Sequence, residues 1–342
     1  MTSVRVDAEL VRRGLARSRA HAGELVKAGR VSVRGLQVTK PSSAIGDDAE
    51  IDVVADPLDE GYASRAALKL AGALDAFAAS GPGDHLEVGA GATGQQVADA
   101  VPGAWCLDLG ASTGGFTDVL LRRGAAHVVA LDVGHDQLVP RLRDDSRVTA
   151  VEGYNVRDLD RADLERSPDL VVGDLSFISL TLVLPPLARV LGPGTPALLM
   201  VKPQFEVGKD RLGTGGVVRD PALHVSAVLD VVAAGADVGL LVRAVVPSPL
   251  PGPSGNREYF VAFERGEPLV GEVAREASRP AVTAAVAWQP DDAGSVRPPV
   301  FTVGTPVAPP IAAVGAAPVG SASSAGAATD PTNPSSRTGG AP

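Results

Sequence analysis

Four ionisable residues of the sequence each interrupt or end an apolar run: Lys69, Asp174, Lys202 and Glu258. Asp174 follows the residues Val-Val-Gly, and Lys202 follows Leu-Leu-Met-Val. A charged group at such a position lies at the end of a buried element or is itself partly buried, and buried charges are either paired or functional. Any one of the four alone is as consistent with a structural ion pair as with catalysis.

Together, two lysines and two carboxylates suit the transfer of a methyl group to a hydroxyl. This reaction needs a group that takes the hydroxyl proton, whereas a ring or amino nitrogen offers a lone pair and needs less help from a base. A partly buried lysine beside a second positive charge loses its proton more readily. Only five of the 31 basic residues are lysines, and arginine cannot lose its proton. The set therefore favours a ribose 2'-hydroxyl as the acceptor.

Two glycine-rich turns are candidates for binding a nucleoside cofactor. The first, Gly89-x-Gly91-x-x-Gly94, has the spacing of the dinucleotide fingerprint, and the second reads GASTGG from Gly110 to Gly115. Only about two helical turns follow the first before Pro102. A longer helical pattern follows the second. Each turn is followed by an apolar run with an acid that can bind ribose hydroxyls, Asp108 after the first and Asp132 after the second, so this spacing alone does not exclude the first turn.

The positions of the downstream residues favour the second turn. Counting strands from that turn places Asp174 at the end of the fourth strand and Lys202 at the end of the fifth. Both then lie at the carboxyl edge, where open α/β sheets bind ligands. Counting from the first turn places nothing comparable there. We therefore assign cofactor binding to 110–115 and interpret the first turn as a surface excursion with an accidental pattern.

Apolar runs alternate with helical patterns from about residue 104 to 264, which is typical of a parallel sheet with crossover helices. The predicted strands are 105–109, 127–132, 148–151, 170–172, 197–201, 240–246 and 258–263. The predicted helices are 114–123, 137–143, 181–191 and 221–235. A Pro/Gly turn joins the last two strands, so we expect an antiparallel hairpin there. Seven strands with this ending are expected of a nucleoside-cofactor methyltransferase.

The amino-terminal segment is basic although the whole chain has a net charge of -9. Between residues 4 and 45 there are nine Arg or Lys and three acids. We predict helices over 7–13 and 18–27, with Ser18 as the N-cap of the second, followed by short strands. The candidates for phosphate contact are Arg5, Arg17, Arg19 and Arg30, which predict salt-sensitive RNA binding. The alternative is an ordinary solvated surface.

Composition excludes several other classes of protein. The single cysteine, Cys106, rules out a disulfide framework and a cysteine-based zinc site. No apolar stretch approaches the roughly 20 residues of a membrane span, and the amino terminus lacks the apolar region of a secretory signal. We therefore expect a cytoplasmic protein. The stretch after about residue 266 is rich in Ala, Pro, Gly and Ser, which predicts a disordered tail.

Six stretches of the chain carry a resemblance to a known family: RVDAELVRRGLARSRAHAGELVKAGRVSVRGLQVTKPS, YASRAALKLAGAL, CLDLGASTGGFTDVLL, VVGDLSFISL, VKPQFEVGK and GNREYF. On these stretches, residues 4 to about 265 resemble the TlyA (haemolysin A) family of ribosomal RNA 2'-O-methyltransferases. That family joins an S-four-type RNA-binding domain to a domain similar to the heat-shock RNA methyltransferases. The resemblance implies an α/β fold: a class I methyltransferase with a Rossmann-like, seven-stranded, mostly parallel sheet, preceded by a small α+β RNA-binding domain.

The same resemblance implies roles for single residues. Lys69, Asp174, Lys202 and Glu258 look like the catalytic tetrad. Lys202 would accept the proton, with Lys69 as its electrostatic partner. Gly110, Ser112 and Gly114 look like the S-adenosylmethionine loop, and Asp132 looks like the ribose-binding acid. The implied acceptor is a cytidine 2'-hydroxyl in ribosomal RNA of one or both subunits, so the expected partners are ribosomal RNA or ribosomal subunits, with no membrane and no metal.

The expected domains are an RNA-binding domain over 1–58, a hinge and first helix over 59–80, a methyltransferase domain over 81–266 and a tail over 267–342. Two stretches depart from the family pattern: 78–103 is longer than usual, and the tail has no counterpart. Two other functions stay open. A non-catalytic RNA-binding or ribosome-assembly protein would use the tetrad only as ion pairs, and a base-directed RNA methyltransferase would share the fold. A membrane-lytic toxin is a weaker third.

Overall fold

The amino-terminal region folds into two short helices packed on small antiparallel strands. The computed structural model describes residues 3–54, 60–80, 95–252, 254–289 and 297–304. The first elements are β1 (Ser3–Arg5), α1 (Val6–Arg12), α2 (Arg19–Lys27), β2 (Val31–Val33), β3 (Leu36–Gln37), β4 (Ala44–Gly46) and β5 (Ile51–Val53). β2 pairs with β3 and β5, and β1 pairs with β4. As predicted, Ser18 caps α2, because its hydroxyl accepts a hydrogen bond from the His21 amide.

A mostly parallel sheet forms the centre of the second region. Its strands are β6 (Trp105–Leu109), β7 (His127–Leu131), β8 (Val148–Val151), β9 (Leu170–Gly173), β10 (Pro196–Val201), β11 (Leu240–Pro247), β12 (Tyr259–Arg265) and β13 (Phe301–Thr302). The order is β13-β11-β12-β10-β9-β6-β7-β8. β12 runs antiparallel to β10 and β11. The seven predicted strands and the hairpin are confirmed, and β13 adds an eighth strand at the edge beside β11.

Helices cover both faces of this sheet: α3 (Ala66–Ala79), α4 (Gln95–Asp99), α5 (Gly115–Arg122), α6 (Pro140–Arg143), α7 (Leu184–Val190), α8 (Pro203–Glu206), α9 (Pro221–Asp237) and α10 (Gly271–Ala287). Successive strand residues point to opposite faces, so Leu107 joins the core shared with α9 and α10 while Cys106 joins the core shared with α3 and α5. Burial raises the pKa of the Cys106 thiol to about 12. This value fits the inert buried cysteine predicted from the sequence.

The prediction of a disordered tail over 267–342 is wrong for its first part. Residues 271–287 form the helix α10, and residues 301–302 form β13. Small apolar side chains at helical spacing, including Ala274, Val282 and Ala285, are buried in the core shared with α9. Their small size and Pro280 within the helix weaken the sequence signal, because proline is unfavourable in helix interiors. Residues 305–342 lie outside the described residues.

One further prediction falls outside the described residues, and two others concern a membrane span and a metal site. The turn Gly89–Gly94 lies outside the described residues, so its interpretation as an accidental pattern stays a prediction. Within the described ranges, no helix is both long and apolar enough to cross a bilayer. The same ranges contain no group of three or more His, Cys, Asp or Glu side chains arranged to hold a metal ion.

Candidate active site

The glycine-rich turn after β6 can be built only with glycine at two positions. Gly110 has φ +80° and Gly114 has φ +95°, a region that side chains disfavour. A Cβ at Gly110 would lie 3.3 Å from the carbonyl oxygen of Asp174, and one at Gly114 would lie 2.7 Å from Leu138 Cδ1. The backbone therefore runs close to its neighbours and leads directly into the amino terminus of α5.

Asp132, at the end of β7, is locked onto this turn. Its Oδ2 accepts a hydrogen bond from the Ser112 amide at 2.8 Å, and its Oδ1 accepts one from the Gly134 amide at 2.7 Å. Ser112 has φ +47°, a conformation that few side chains adopt. Each carboxylate oxygen can accept a further hydrogen bond. The structure therefore brings together all four residues predicted for the cofactor: Gly110, Ser112, Gly114 and Asp132.

A second acid, Asp108, is buried in β6 below the turn. Its Oδ2 accepts a hydrogen bond from the Thr117 hydroxyl at 2.7 Å, while its Oδ1 has no hydrogen-bond partner among the described residues. Burial raises the pKa of Asp108 to about 7. Sequence reasoning considered this acid only in connection with the first glycine turn. The signal that could have drawn attention to it is a single carboxylate within an apolar strand.

The four residues predicted as catalytic form two ion pairs. Lys69 Nζ on α3 lies 2.5 Å from Glu258 Oε2, and the two side chains are 6% and 1% exposed. Lys202 Nζ lies 2.7 Å from Asp174 Oδ1, and these side chains are also largely buried. Asp174 and Lys202 directly follow β9 and β10, which are parallel neighbours, so their side chains meet at the carboxyl edge. Each lysine therefore has its own carboxylate.

The amine of Lys202 has two polar neighbours. It donates a hydrogen bond to the Ser176 hydroxyl at 2.8 Å. Its approach to Asp174 has the distance of an ion pair without the angles of a hydrogen bond. Sequence reasoning missed Ser176, because a serine in a loop after a strand carries no distinguishing signal.

A cavity of about 800 Å³ connects the cofactor turn with this edge of the sheet. Its lining from the second region includes Lys69, Gly110, Ser112, Asp174, Ser176 and Lys202. Glu258 is not among the lining residues, so it acts on the cavity through Lys69. The opposite wall comes from α2 and the residues just before it, including Arg17, His21 and Lys27. The amino-terminal region thus forms part of the same cavity as the ionisable residues.

The four arginines predicted to contact RNA lie in different places. Arg17 lines the large cavity and also a neighbouring one of about 250 Å³, which Arg30 and Tyr62 line as well. Arg5 and Arg19 are mostly exposed and share the carboxylate of Asp7 at 2.7 and 3.2 Å. Hydrogen bonds from Arg5 lower the pKa of Asp7 to about 2. The structure therefore does not bring the four together in one patch.

The segment before α3 is fixed to the helix that follows the cofactor turn. Asp118 on α5 is buried, and its Oδ2 accepts a hydrogen bond from the Ala63 amide at 2.8 Å. Arg122 and Arg141 pair with Asp118 and also donate to the carbonyl oxygen of Gly61. Burial opposes ionisation, but Arg141 holds the pKa of Asp118 below its usual value. This network places α3, and with it Lys69, beside the cofactor turn.

A strongly exposed aromatic side chain marks the loop after β9. Phe177 is 91% exposed and has φ +64°. Its ring centroid lies 5.3 Å from that of Phe205, which follows Lys202 by three residues. An exposed phenylalanine in a strained backbone conformation is unfavourable unless it serves a contact. Sequence reasoning missed this residue, since its aromatic ring reads as part of the apolar pattern SFISL.

Two family models match the chain. The FtsJ-like methyltransferase model matches residues 62–265, and the S4 domain model matches residues 4–51. The first covers the region that contains the glycine turn and both ion pairs. The second covers the basic region with α1 and α2.

Known proteins of high similarity cover most of the chain. The 16S/23S rRNA (cytidine-2'-O)-methyltransferase TlyA of Mycobacterium tuberculosis is 50% identical over 257 residues, covering 75% of this chain and 88% of that protein. Hemolysin A of Brachyspira hyodysenteriae is 35% identical over 261 residues, covering 76% and 99%. The structure of a putative hemolysin from Streptococcus thermophilus has 36% identity and a TM-score of 0.59, covering 83% and 96%. The chain therefore belongs to the TlyA family of FtsJ-like methyltransferases, with an S4 domain ahead of the methyltransferase domain.

Proposed function

We propose that the protein transfers the methyl group of S-adenosylmethionine to the 2'-hydroxyl of a cytidine in ribosomal RNA. The observation that carries this proposal is the position of Lys202, held by Asp174 and Ser176 in the same cavity as the glycine turn. The substrate class rests on the S4 domain and on the relative named as an rRNA (cytidine-2'-O)-methyltransferase.

The residues of the turn fit S-adenosylmethionine. Gly110 lines the cavity, and the positive φ values of Gly110 and Gly114 let the turn carry the chain past the cavity into α5. The carboxylate oxygens of Asp132 accept hydrogen bonds from the Ser112 and Gly134 amides, and each retains a lone pair that can accept a ribose hydroxyl. The unpaired oxygen of Asp108 marks a polar position under the turn. When bound, the cofactor supplies an electrophilic methyl group on a sulfonium.

Lys202 takes the proton of the 2'-hydroxyl. A neutral amine has two N–H donors and one lone pair. Ser176 accepts one of the donors, and the Asp174 carboxylate lies 2.7 Å from the amine. The lone pair is left for the hydroxyl proton as the oxygen takes the methyl group from the sulfur, whose bond to the methyl group breaks. The ammonium that results is stabilised by the adjacent Asp174 carboxylate. Lys69, fixed by Glu258, presents a positive charge to the cavity where the oxygen becomes negative.

The RNA is held by groups on both walls of the cavity. Arg17, on the S4 side, is suited to contact a phosphate near the target nucleotide, while the exposed Arg5 and Arg19 are suited to phosphates farther away. Phe177 offers an exposed ring on which a base taken out of its stack can rest.

A non-catalytic RNA-binding function is the second candidate, and one observation favours it. The tetrad forms two ion pairs, as expected if these residues only stabilised the fold. Lys202→Arg keeps the positive charge but cannot act as a base, because arginine does not lose its proton. This substitution therefore separates the two candidates.

The test is methyl transfer to ribosomal RNA by the wild type, Lys202→Arg, Lys202→Ala and the control Lys209→Arg, which makes the same change at an exposed lysine. We expect both Lys202 variants to lose activity by at least about 100-fold. Calorimetry should show cofactor affinity within about threefold of the wild type. Wild-type activity in Lys202→Arg would overturn the role of Lys202, and absence of transfer by the wild type would favour the non-catalytic candidate.

A further inference from the structure

The short helix α8 directly follows Lys202, and the three residues after Pro203 each contact a different part of the site. Gln204 Nε2 lies 3.5 Å from Glu258 Oε1, at the back of the Lys69 pair. The Phe205 ring contacts Phe177. Glu206 reaches the loop that leaves β9 at Asp174. One helical turn therefore contacts Glu258 of the first ion pair directly and the loop after Asp174 of the second.

The carboxylate of Glu206 holds that loop with both oxygens. Oε2 accepts a hydrogen bond from the Ser179 hydroxyl at 2.5 Å, and Oε1 accepts one from the Leu180 amide at 2.9 Å. The Ser179 hydroxyl also lies 2.7 Å from that of Thr181. These bonds join the segment after β10 to the segment after β9, 26 or 27 residues earlier in the chain.

Neutralisation of a cation does not explain this carboxylate. Among the described residues its two hydrogen-bond partners, a hydroxyl and an amide, are both uncharged. Burial disfavours the charged form and raises the pKa of Glu206. Hydrogen bonds to an ionised acceptor are about twice as strong as neutral ones. Burial of the Glu206 carboxylate is unfavourable, and its two strong hydrogen bonds to one loop offset this cost. The arrangement indicates that Glu206 orders the loop.

The position of these hydrogen bonds in the fold indicates which part of the site they order. The last ladder pair between β9 and β10 joins Gly173 to Leu199. The sheet still holds the backbone at Asp174, whose amide donates to the carbonyl oxygen of Leu109, and at Val201, which pairs with Tyr259 just before Lys202. Ser176 and the rest of the loop lie beyond this pairing. The Glu206 bonds close the loop on the far side. The contact of Lys202 with Asp174 and Ser176 is therefore held between the sheet register at one end and Glu206 at the other.

We propose that Glu206 is a positioning residue, which holds the loop 174–180 so that Asp174 and Ser176 stay aligned with the amine of Lys202. The proposal rests on the proposed function of Lys202 as the proton acceptor. Glu206 itself contacts neither RNA nor cofactor in this account. It acts on the rate through the geometry of the amine and its two polar neighbours.

The test compares Glu206→Ala with Glu206→Gln, using Glu267→Ala as the control at an exposed glutamate. The glutamine side chain can accept a hydrogen bond from the Leu180 amide and donate one to the Ser179 hydroxyl, so both hydrogen bonds are kept. We expect Glu206→Ala to lower kcat about 10- to 100-fold, since misplacement by about 1 Å can cost that much. KM for the RNA and affinity for the cofactor should stay within about threefold, and Glu206→Gln should restore kcat to within about threefold of the wild type.

Hydrogen exchange at the Leu180 amide gives a readout that does not depend on activity. It should become faster in Glu206→Ala and return to the wild-type rate in Glu206→Gln. Wild-type kcat in Glu206→Ala, or Glu206→Gln as slow as Glu206→Ala, would overturn the proposal. If Glu206→Ala does not fold, Ser179→Ala removes one of the two bonds, and an unchanged kcat in that variant would overturn it.

The two proposals fail in different ways. If the wild type transfers no methyl group to ribose, the proposed function fails, and the exchange rate of the Leu180 amide still decides whether Glu206 orders the loop. If the wild type is active and Glu206→Ala is equally active, the proposed function stands and only the role of Glu206 fails.

Discussion

The two polar neighbours of Lys202 differ in charge, and this difference gives its amine a direction. Asp174 is a carboxylate at 2.7 Å, and Ser176 is a neutral hydroxyl at 2.8 Å. In the proposed reaction, the carboxylate stabilises the ammonium formed after proton transfer, while the hydroxyl fixes the orientation of the amine at little electrostatic cost. A lone ion pair would fix only distance. Ser176 therefore orients the amine within the buried ion pair, so that one side of the amine faces the cavity.

The sequence is sufficient to predict which charged residues interrupt the buried elements but not how they pair. Lys69, Asp174, Lys202 and Glu258 are visible because each breaks an apolar run. The expectation that Lys69 acts as an electrostatic partner of Lys202 stays a prediction, because each lysine has its own carboxylate and the two meet only as walls of one cavity. Ser176 and Glu206 could not be predicted, since their roles depend on contacts between loops distant in sequence.

Asp108 predicts a specific dependence of stability on pH in the absence of cofactor. Its pKa is about 7 in the folded protein and near 4 in an unfolded chain. Between these values the folded state binds a proton that the unfolded state has lost. The contribution of this proton to the free energy of unfolding is therefore fully present below about pH 4 and is lost as the pH rises through 7. Asp108→Asn should remove this contribution, which amounts to a few kcal/mol at most, at about 1.4 kcal/mol per pKa unit.

The measurement is urea unfolding of the wild type and Asp108→Asn at pH 5 and pH 8. The free energy of unfolding of the wild type should fall relative to that of the variant as the pH rises. Parallel pH profiles for the two proteins would show that Asp108 does not titrate in this range.

At the scale of elements, local sequence patterns place the strands well and the helix boundaries less well. The strands of the sheet agree with prediction because buried β-branched and leucine runs are bounded by turn residues. The helix predicted over 137–143 begins at Pro140, and the one over 181–191 is α-helical only over Leu184–Val190, whose first turn contains two prolines. Proline favours the first helical turn. The two-residue strand β13 is too short to leave a pattern.

The helix α10 is anchored to the hairpin that carries Glu258. Arg257 Nη1 donates to the carbonyl oxygen of Val286 at 2.8 Å, and Nη2 donates to that of Trp288 at 2.5 Å. These are carbonyls at the end of α10, where no intrahelical donor remains. The residue that precedes Glu258 therefore stabilises an element that composition alone assigns to a disordered tail.

Arg257→Ala should lower the free energy of unfolding by about 1–3 kcal/mol, because two carbonyls lose a charged donor. Amide exchange in the last turn of α10 should become faster. Arg279→Ala is the matched control on the same helix. Its exposed pair with Glu276 should contribute at most about 1 kcal/mol. Equal losses of stability in the two variants would contradict the anchoring role of Arg257.

At the scale of the whole molecule, the S4 domain forms one wall of the cavity as well as an outer basic surface. Arg17 lies on the wall, whereas Arg5 and Arg19 lie outside and share Asp7. The sequence predicts all four arginines as one set. It could not divide them, because Arg5, Arg17 and Arg30 lie outside the two helices, and the local sequence does not say which side of the S4 domain faces the methyltransferase domain.

This division predicts different effects of the two groups on RNA binding. Arg5→Ala with Arg19→Ala should weaken ribosomal RNA binding and reduce the slope of log affinity against log salt by about 1–2. Cofactor affinity should not change. The control is Arg147→Ala with Arg166→Ala, two mostly exposed arginines near the opposite edge of the sheet. An unchanged salt slope in the Arg5 and Arg19 variant would show that this surface does not bind the phosphates.

The most direct test of the central claim is the position of the transferred methyl group. Ribosomal RNA is treated with the protein and isotopically labelled S-adenosylmethionine, digested to nucleosides and analysed by mass spectrometry. We predict label on the ribose of cytidine with the wild type and none above background with Lys202→Arg. Label on a base, or equal labelling of ribose by Lys202→Arg, would contradict the account.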